Sequence, residues 1–355
     1  MKVSTLLLRE NNNLDIFRLI AALMVLWGHA YSLAPEGTKA DYIQRHLHFG
    51  YSGSVAVNIF FFLSGLVVTN SLLENKDPYA FAVRRLFRIW PALIAVVLVS
   101  ALVIGPAMTT LGLHQYFSNP DTWLYIKDNI NLDSRWSLPG VFKDNAYPDA
   151  VNGSLWTLPW EVGAYIYVLW LFMIGSAKSK YIALAVSLFF LAEIILTDNT
   201  ILGFLDPTGG INLALCSFIF GFIVAVFKNE INITGTAVVG FWIGYHFSKH
   251  TVIIPYFFFV ALFLTIMWLS STRAFLRIRL KSDISYGVYL WGFPVQQVLS
   301  HYFLPWGVFF NQMASIAMCS LIGWLSWQFL EKPSIRMGGA LSRRVQKREG
   351  HLSAG

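Results

Sequence analysis

The chain has 355 residues, of which 56% are hydrophobic and only 13% charged, about half the charged share of an ordinary soluble domain. Its 26 basic and 19 acidic residues leave a net charge of +7, which in so apolar a chain reads as topology information and not as affinity for nucleic acid. Cys216 and Cys319 are the only cysteines, and both lie in apolar runs, which excludes a disulfide framework and a thiolate metal cluster.

Ten apolar stretches of membrane length follow in order: 14–34, 55–72, 87–107, 157–175, 180–197, 210–228, 232–248, 252–270, 284–303 and 308–330. They predict an all-α polytopic membrane protein with about ten transmembrane helices. The membrane domain takes residues 1–335, and a short basic cytoplasmic tail takes 336–355. The first stretch has Asp15 and Arg18 at its start and no small-residue cleavage site after it, so it reads as a retained helix and not a signal peptide. The stretch 232–248 is interrupted by glycines, and 284–303 carries Pro294 and two glutamines; both need protein neighbours to cover their polar atoms. With the N-terminus inside, 20 of the basic residues, including Lys178 and Arg279, fall on the cytoplasmic side. The other six, including Lys249, fall opposite. This bias places both termini in the cytoplasm.

Two connections are long. Residues 35–54 join the first two stretches, and residues 108–156 carry Asp121, Asp128, Asp133, Asp144 and Asp149 among Tyr116, Trp123, Tyr125, Trp136 and Tyr147. Carboxylates mixed with aromatics suit a sugar by hydrogen bonding and stacking. They suit a solvated surface loop equally well.

Against this apolar background the ionisable side chains stand out, because a charge inside a membrane is costly and faces a bundle interior or a cavity. Arg18 and His29 are eleven residues apart, which on a helix separates them by about 20° in azimuth and ~16 Å in height. One helical face therefore carries both. Separately, Arg18 also fits as a side chain reaching inner-leaflet phosphates, with His29 in the outer interface. Glu161, in NGSLWTLPWEVGAYIY, falls near the outer end of the fourth stretch, at the height assigned to His29. It suits fixing an imidazole tautomer, binding an acceptor hydroxyl, or stabilising a helix start. Ser154 and Trp156 precede it as polar candidates that also suit an interfacial turn. Arg84, Arg85 and Arg88 stand in AFAVRRLFRIWP; Arg85 and Arg88 project together, and guanidinium forks match phosphate oxygens. Topology anchoring explains the same charges. The second stretch contributes Asn58 and Ser64, with Ser64 and Gly65 suited to close helix packing. No serine-hydrolase elbow, dinucleotide fingerprint, phosphate loop or HExxH zinc motif occurs, and no metal site is predicted.

Taken in order, these segments resemble the type 3 membrane acyltransferases, the bacterial O-acetyltransferases of O-antigen and exopolysaccharide. The resemblance spans about 12–335 and rests on named segments. They are Arg18 and His29 in LDIFRLIAALMVLWGHAY, GSVAVNIFFFLSG at 53–65, Arg85 and Arg88 in RRLFRIWP, SLWTLPWE ending at Glu161, ISYGVYLWGFPV at 284–295 with Tyr286, and Glu331, Lys332 and Pro333. One departure is Gly292, where many members have histidine. The resemblance implies a multi-pass enzyme of the bacterial cytoplasmic (inner) membrane. It would transfer an acyl group, commonly acetyl from acetyl-coenzyme A, to a hydroxyl of a cell-surface or lipid-linked glycan. Arg85 and Arg88 would hold coenzyme phosphates, Arg18 would orient the coenzyme, His29 would deprotonate the acceptor, and Glu161 would orient His29 or the sugar. Membrane lipids and the glycan are the expected partners. A covalent acyl relay stays open beside direct transfer. Two rival classes are a polysaccharide-related transporter or flippase without covalent chemistry, and an inactive scaffold of the same fold.

Overall fold

The computed structural model describes residues 1–37, 39–176, 179–197, 211–248, 251, 253–278 and 280–352. The described residues are helical apart from connections and two isolated bridges, Lys2 with Asn232 and Thr109 with Val141. The main helices are α1 (Leu14–Leu33), α2 (Ser52–Asn75), α3 (Pro78–Val99), α4 (Pro120–Ile130), α5 (Leu158–Leu171), α6 (Lys180–Thr197), α7 (Asn212–Val226), α8 (Gly235–Phe247), α9 (Ile254–Ser270), α10 (Ser285–Phe303), α11 (Gly307–Ser326) and α12 (Lys332–Leu352).

The expectation of ten membrane crossings is corrected to about five. Among the described residues, Leu14–Leu33, Ser52–Asn75, Pro78–Met108, Gly153–Gly175 and Ser285–Arg344 are long and apolar enough to cross. The apolar stretches of the sequence overcount because hydropathy does not fix helix length. Helices α7, α8 and α9 have 15, 13 and 17 residues. At 1.5 Å per residue they span roughly 20–26 Å, short of a hydrocarbon core of about 30 Å. The charge tally that placed both termini in the cytoplasm relied on ten crossings and does not carry over; Lys178, Lys249 and Arg279, which it used, lie outside the described residues.

The chain divides into two compact units. The first comprises Met1–Ala21, Ser54–Lys76 and Trp160–Lys281, and the second Ala22–Gly53, Asp77–Pro159 and Ser282–Gly355.

The first unit is built on the close approach of α2 and α7. A Cβ on Gly65 would lie 2.2 Å from the Phe218 carbonyl oxygen, and one on Gly221 would lie 2.3 Å from that of Phe62, so only glycine lets these backbones meet. Beside the contact, Phe62 stacks on Phe263 of α9 with ring centroids 4.2 Å apart. The Ser217 hydroxyl donates to the Asn58 side-chain oxygen at 2.7 Å. At the end of the pair, the Lys228 ammonium donates to Asn70 at 2.7 Å and also pairs with Glu74.

In the second unit, α3 begins at Pro78, preset for a first helical turn, with Asp77 accepting from the Ala80 amide at 2.8 Å. The chain reverses between α10 and α11 at Gly307, whose φ of +78° suits a residue without Cβ. A three-way ion cluster ties α3 to the start of α10 and to the junction of α11 with α12. Arg88 donates to Asp283 and to Glu331, each at 2.7 Å. Its guanidinium also lies 5.4 Å from the Tyr286 ring centre and 5.8 Å from that of Trp327. Ser285 donates to Asp283 at 2.7 Å and Ser326 to Glu331 at 2.9 Å, so both carboxylates have further support. Helix α12 continues the helical run into the basic tail.

The connection at 108–156 is folded. Tyr116 and Tyr125 are fully buried, because burying these rings against α4 and the end of α3 gives the segment a core of its own. Arg135 pairs with Asp128 at 2.9 Å and Asp121 at 3.2 Å. Gln297 of α10 donates to the carbonyls of Tyr147 at 2.8 Å and Ala150 at 2.6 Å, while Asn152 donates to the Leu290 carbonyl at 3.0 Å. Gln296 and Gln297 are both fully buried, so the amide side chains of α10 are covered by protein.

Two substitutions test this packing in detergent unfolding measurements. Gly65→Val forces a side chain against a backbone carbonyl and lowers stability by about 1–3 kcal/mol or more. Gly240→Ala, where a Cβ would meet no atom within 4 Å, does not lower it. Separately, Arg88→Ala strands Glu331, which is 1% exposed, as a buried unpaired carboxylate, and costs on the order of 3–5 kcal/mol. Adding Glu331→Gln to it recovers part of that loss.

Candidate active site

Helix α1 starts where Asn12 accepts from the Leu14 amide at 3.2 Å, and it runs unbroken past both Arg18 and His29. The predicted shared helix is therefore present. Arg18 lies in the first unit, one turn in, with Asp15 at 3.7 Å. His29 lies in the second unit, near the other end.

The imidazole of His29 is bracketed by rings. Phe293 meets it edge-on with centroids 5.4 Å apart and planes at 76°, and Tyr51 lies at 6.4 Å. Gly28 makes room for Tyr51, since a Cβ there would come within 2.9 Å of that ring. Burial pushes the Tyr51 phenol above its ordinary pKa, with the Tyr147 and Asp41 charges adding to the shift, so Tyr51 stays a neutral phenol near pH 7. The Nδ1 atom of His29 is buried and has no hydrogen-bond partner among the described residues. Such an atom costs on the order of 1–3 kcal/mol and calls for an explanation.

The backbone around His29 is held by side chains of the final helices. Gln296 donates to the Leu26 carbonyl at 2.7 Å, Gln312 to that of Trp27 at 3.0 Å, and Ser300 to that of Leu33. Gly292 faces Leu26, whose Cδ1 would be 2.6 Å from a Cβ at that position. A larger side chain at 292 requires Leu26 to shift.

Ser154 sits in a 3-10 turn, Gly153–Thr157, that also packs on Phe293; a Cβ on Gly153 would lie 2.8 Å from that ring. The Tyr289 hydroxyl donates to the Ser154 carbonyl at 2.8 Å and lies 2.6 Å from the Thr157 hydroxyl. The Ser154 hydroxyl oxygen is buried and unpartnered among the described residues. Trp156 follows in the same turn, half-buried. Phe293 thus brings together the His29 and Ser154 segments.

Other predicted positions have separate settings. Glu161 lies in the first unit, in the first turn of α5, and accepts a hydrogen bond from the Tyr165 hydroxyl. Asn58 is buried against Ser217, and Ser64 is half-buried beside the Gly65 contact. Tyr286 donates to the Ile89 carbonyl at 3.1 Å, so it fixes α10 on α3. Arg85 lies near the Phe81 ring, 6.0 Å from its centre. Arg88 already serves two carboxylates. Of these partners, Asp283 and Ser326 were not singled out from sequence, although Asp283 directly precedes the ISYG segment. Among the described residues, no group of three His, Cys, Asp or Glu side chains is arranged to hold a metal.

Comparison with known proteins adds to this geometry. The chain is 28% identical over 345 residues to an O-acetyl transferase of Shigella phage Sf6, covering 92% of this chain and 96% of that protein. It is 25% identical over 370 residues to Nodulation protein 10 of Rhizobium leguminosarum bv. viciae, covering 94% and 96% respectively. No solved structure matches. The model of the acyltransferase domain family matches residues 11–329, a span that takes in His29, the Arg88 partner Asp283 and the helices that hold them, and the chain accordingly belongs to this acyltransferase family.

Proposed function

We propose that this protein transfers an acetyl group from acetyl-coenzyme A to a hydroxyl of a cell-surface or lipid-linked glycan, such as O-antigen or exopolysaccharide, in the bacterial cytoplasmic (inner) membrane. The observation that carries the reading is the buried Nδ1 of His29, unpartnered among the described residues, in a chain of the acyltransferase family. Imidazole is the side chain most often used as a general base.

In this mechanism His29 takes the proton of the acceptor hydroxyl as its oxygen attacks the thioester carbonyl. The tetrahedral oxyanion collapses, the carbon–sulfur bond breaks, and the proton passes from the imidazolium to the departing coenzyme thiolate. The product is an acetyl ester and free coenzyme A. Phe293 and Tyr51 keep water from the imidazole, which favours transfer to sugar over hydrolysis. Arg85 is assigned to the coenzyme phosphates. Arg88 is assigned to position α3, because its guanidinium is committed to Asp283 and Glu331. The similarity to the phage O-acetyl transferase supports acetyl as the group transferred.

The test uses purified protein in lipid, labelled acetyl-coenzyme A and a panel of bacterial glycans. His29→Gln lowers kcat about 10²–10⁴-fold, the usual share of a general base, and leaves coenzyme binding intact. Arg85→Ala raises the KM for acetyl-coenzyme A by about tenfold or more, the scale of a lost charged hydrogen bond. Transfer at full rate by His29→Gln, or no acyl-glycan from the unmodified protein with any acceptor, overturns the reading.

A further inference from the structure

The folded connection of the second unit carries a groove of about 540 Å³ lined by Ser134, Trp136, Ser137, Tyr147 and Asp149. That volume falls in the range of small-molecule sites, roughly 300–1,000 Å³. Its two aromatic side chains are solvent-facing, with Trp136 45% and Tyr147 40% exposed. Their backbones are nevertheless fixed: the Trp136 carbonyl accepts from the Val151 amide at 2.7 Å, and Gln297 holds the carbonyls of Tyr147 and Ala150. Rigid backbone beneath exposed rings lowers the entropy lost when a ligand settles on them.

The groove's wall is also linked to His29 by ring packing. Tyr147 packs edge-on against Phe293 with centroids 6.0 Å apart, and Phe293 packs edge-on against His29 at 5.4 Å. Ala150, which lines the groove, is buried with Leu33 of α1 and Phe293 in one apolar cluster. A single phenyl ring therefore separates the groove's inner wall from the imidazole.

We propose that this groove is the acceptor subsite, taking a saccharide unit of the glycan by stacking on Trp136 and Tyr147 and by hydrogen bonds to Asp149, Ser134 and Ser137. This deepens the acyl-transfer reading above and rests on it. The chemistry matches a sugar: its C–H-rich faces complement the electron-rich faces of aromatic rings, and its hydroxyl rim meets carboxylate and hydroxyl groups. A lipid surface fits less well. Exposed Trp and Tyr are common at membrane interfaces, but the Asp149–Lys143 pair at the groove leaves no net positive charge to attract anionic headgroups. Asp149 is paired at 2.5 Å with Lys143, itself half-exposed, which holds the carboxylate at the rim.

The experiment uses the full chain in phosphatidylethanolamine–phosphatidylglycerol nanodiscs, and rhamnose-, glucose-, galactose- and N-acetylglucosamine-based oligosaccharides as probes. Saturation-transfer NMR reads saccharide binding without acyl donor, and acetylation kinetics read the two KM values separately. With thermal midpoints checked, Trp136→Ala weakens the saturation-transfer signal and raises the saccharide KM about tenfold, the scale of losing an aromatic anchor. The KM for acetyl-coenzyme A stays as it was. Tyr147→Phe, which keeps the ring, stays near the unmodified protein. If Trp136→Ala folds and keeps the saccharide signal and KM, the groove is not the subsite, although acyl transfer stands. Trp136-dependent saccharide binding without any acetylation leaves the groove standing and removes the acyl-transfer reading. Absence of both binding and acetylation with every probe overturns both.

Discussion

A polar atom buried away from water must find a partner within the protein, and the second unit is organised by that constraint. Its buried glutamines do not face lipid. Gln296 reaches the backbone of α1, and Gln297 reaches the folded connection and receives the Asn145 amide at 2.8 Å. Asn152 and Ser300 make similar reaches. Because each donor here is a side chain and each acceptor a carbonyl of another segment, satisfying the polar atoms also fixes the positions of those segments. The Arg88 cluster extends the same logic to full charges, where one guanidinium serves two carboxylates.

Within that frame two of the exceptions carry the functional argument, while others, such as the Gln296 Oε1 and the Trp327 Nε1, lie elsewhere in the unit. The Nδ1 of His29 and the hydroxyl of Ser154 are both buried and unpartnered among the described residues, and their segments both pack on Phe293. The aromatic ring is a spacer that donates nothing and accepts little, so it does not satisfy either group. It also links them to the groove, because Tyr147 rests on its other side. Glycines at 28, 153 and 292 set the distances, since a Cβ at any of them would meet Tyr51, Phe293 or Leu26 within 3 Å.

Much of this was legible in the chain. Helical spacing put Arg18 and His29 on one helix, the two glutamines and Pro294 marked α10 as needing protein cover, and Gly65 marked a close helix contact. The crossing number was not legible, because apolar windows register composition, whereas α7 and α8 end where Phe227 and Ser248 leave the helix. Nor were the partners of Arg88, which lie 195 and 243 residues away in sequence; a pattern read along one helix cannot supply a contact made by folding. The same holds for Tyr116 and Tyr125, which read as surface aromatics and are core residues of the connection. Arginine triplets alone do not distinguish a phosphate site from a structural clamp; what the fold adds is that Arg88 pairs with two carboxylates.

The central claim is that the vacant imidazole of His29 accepts the proton of the acceptor hydroxyl. Chemical rescue addresses it most directly: His29→Gly is assayed for acetyl transfer to glycan across a series of added imidazole concentrations. The account predicts a strongly depressed rate that rises with imidazole as the free base occupies the vacated space. Full-rate transfer by His29→Gly without imidazole contradicts it.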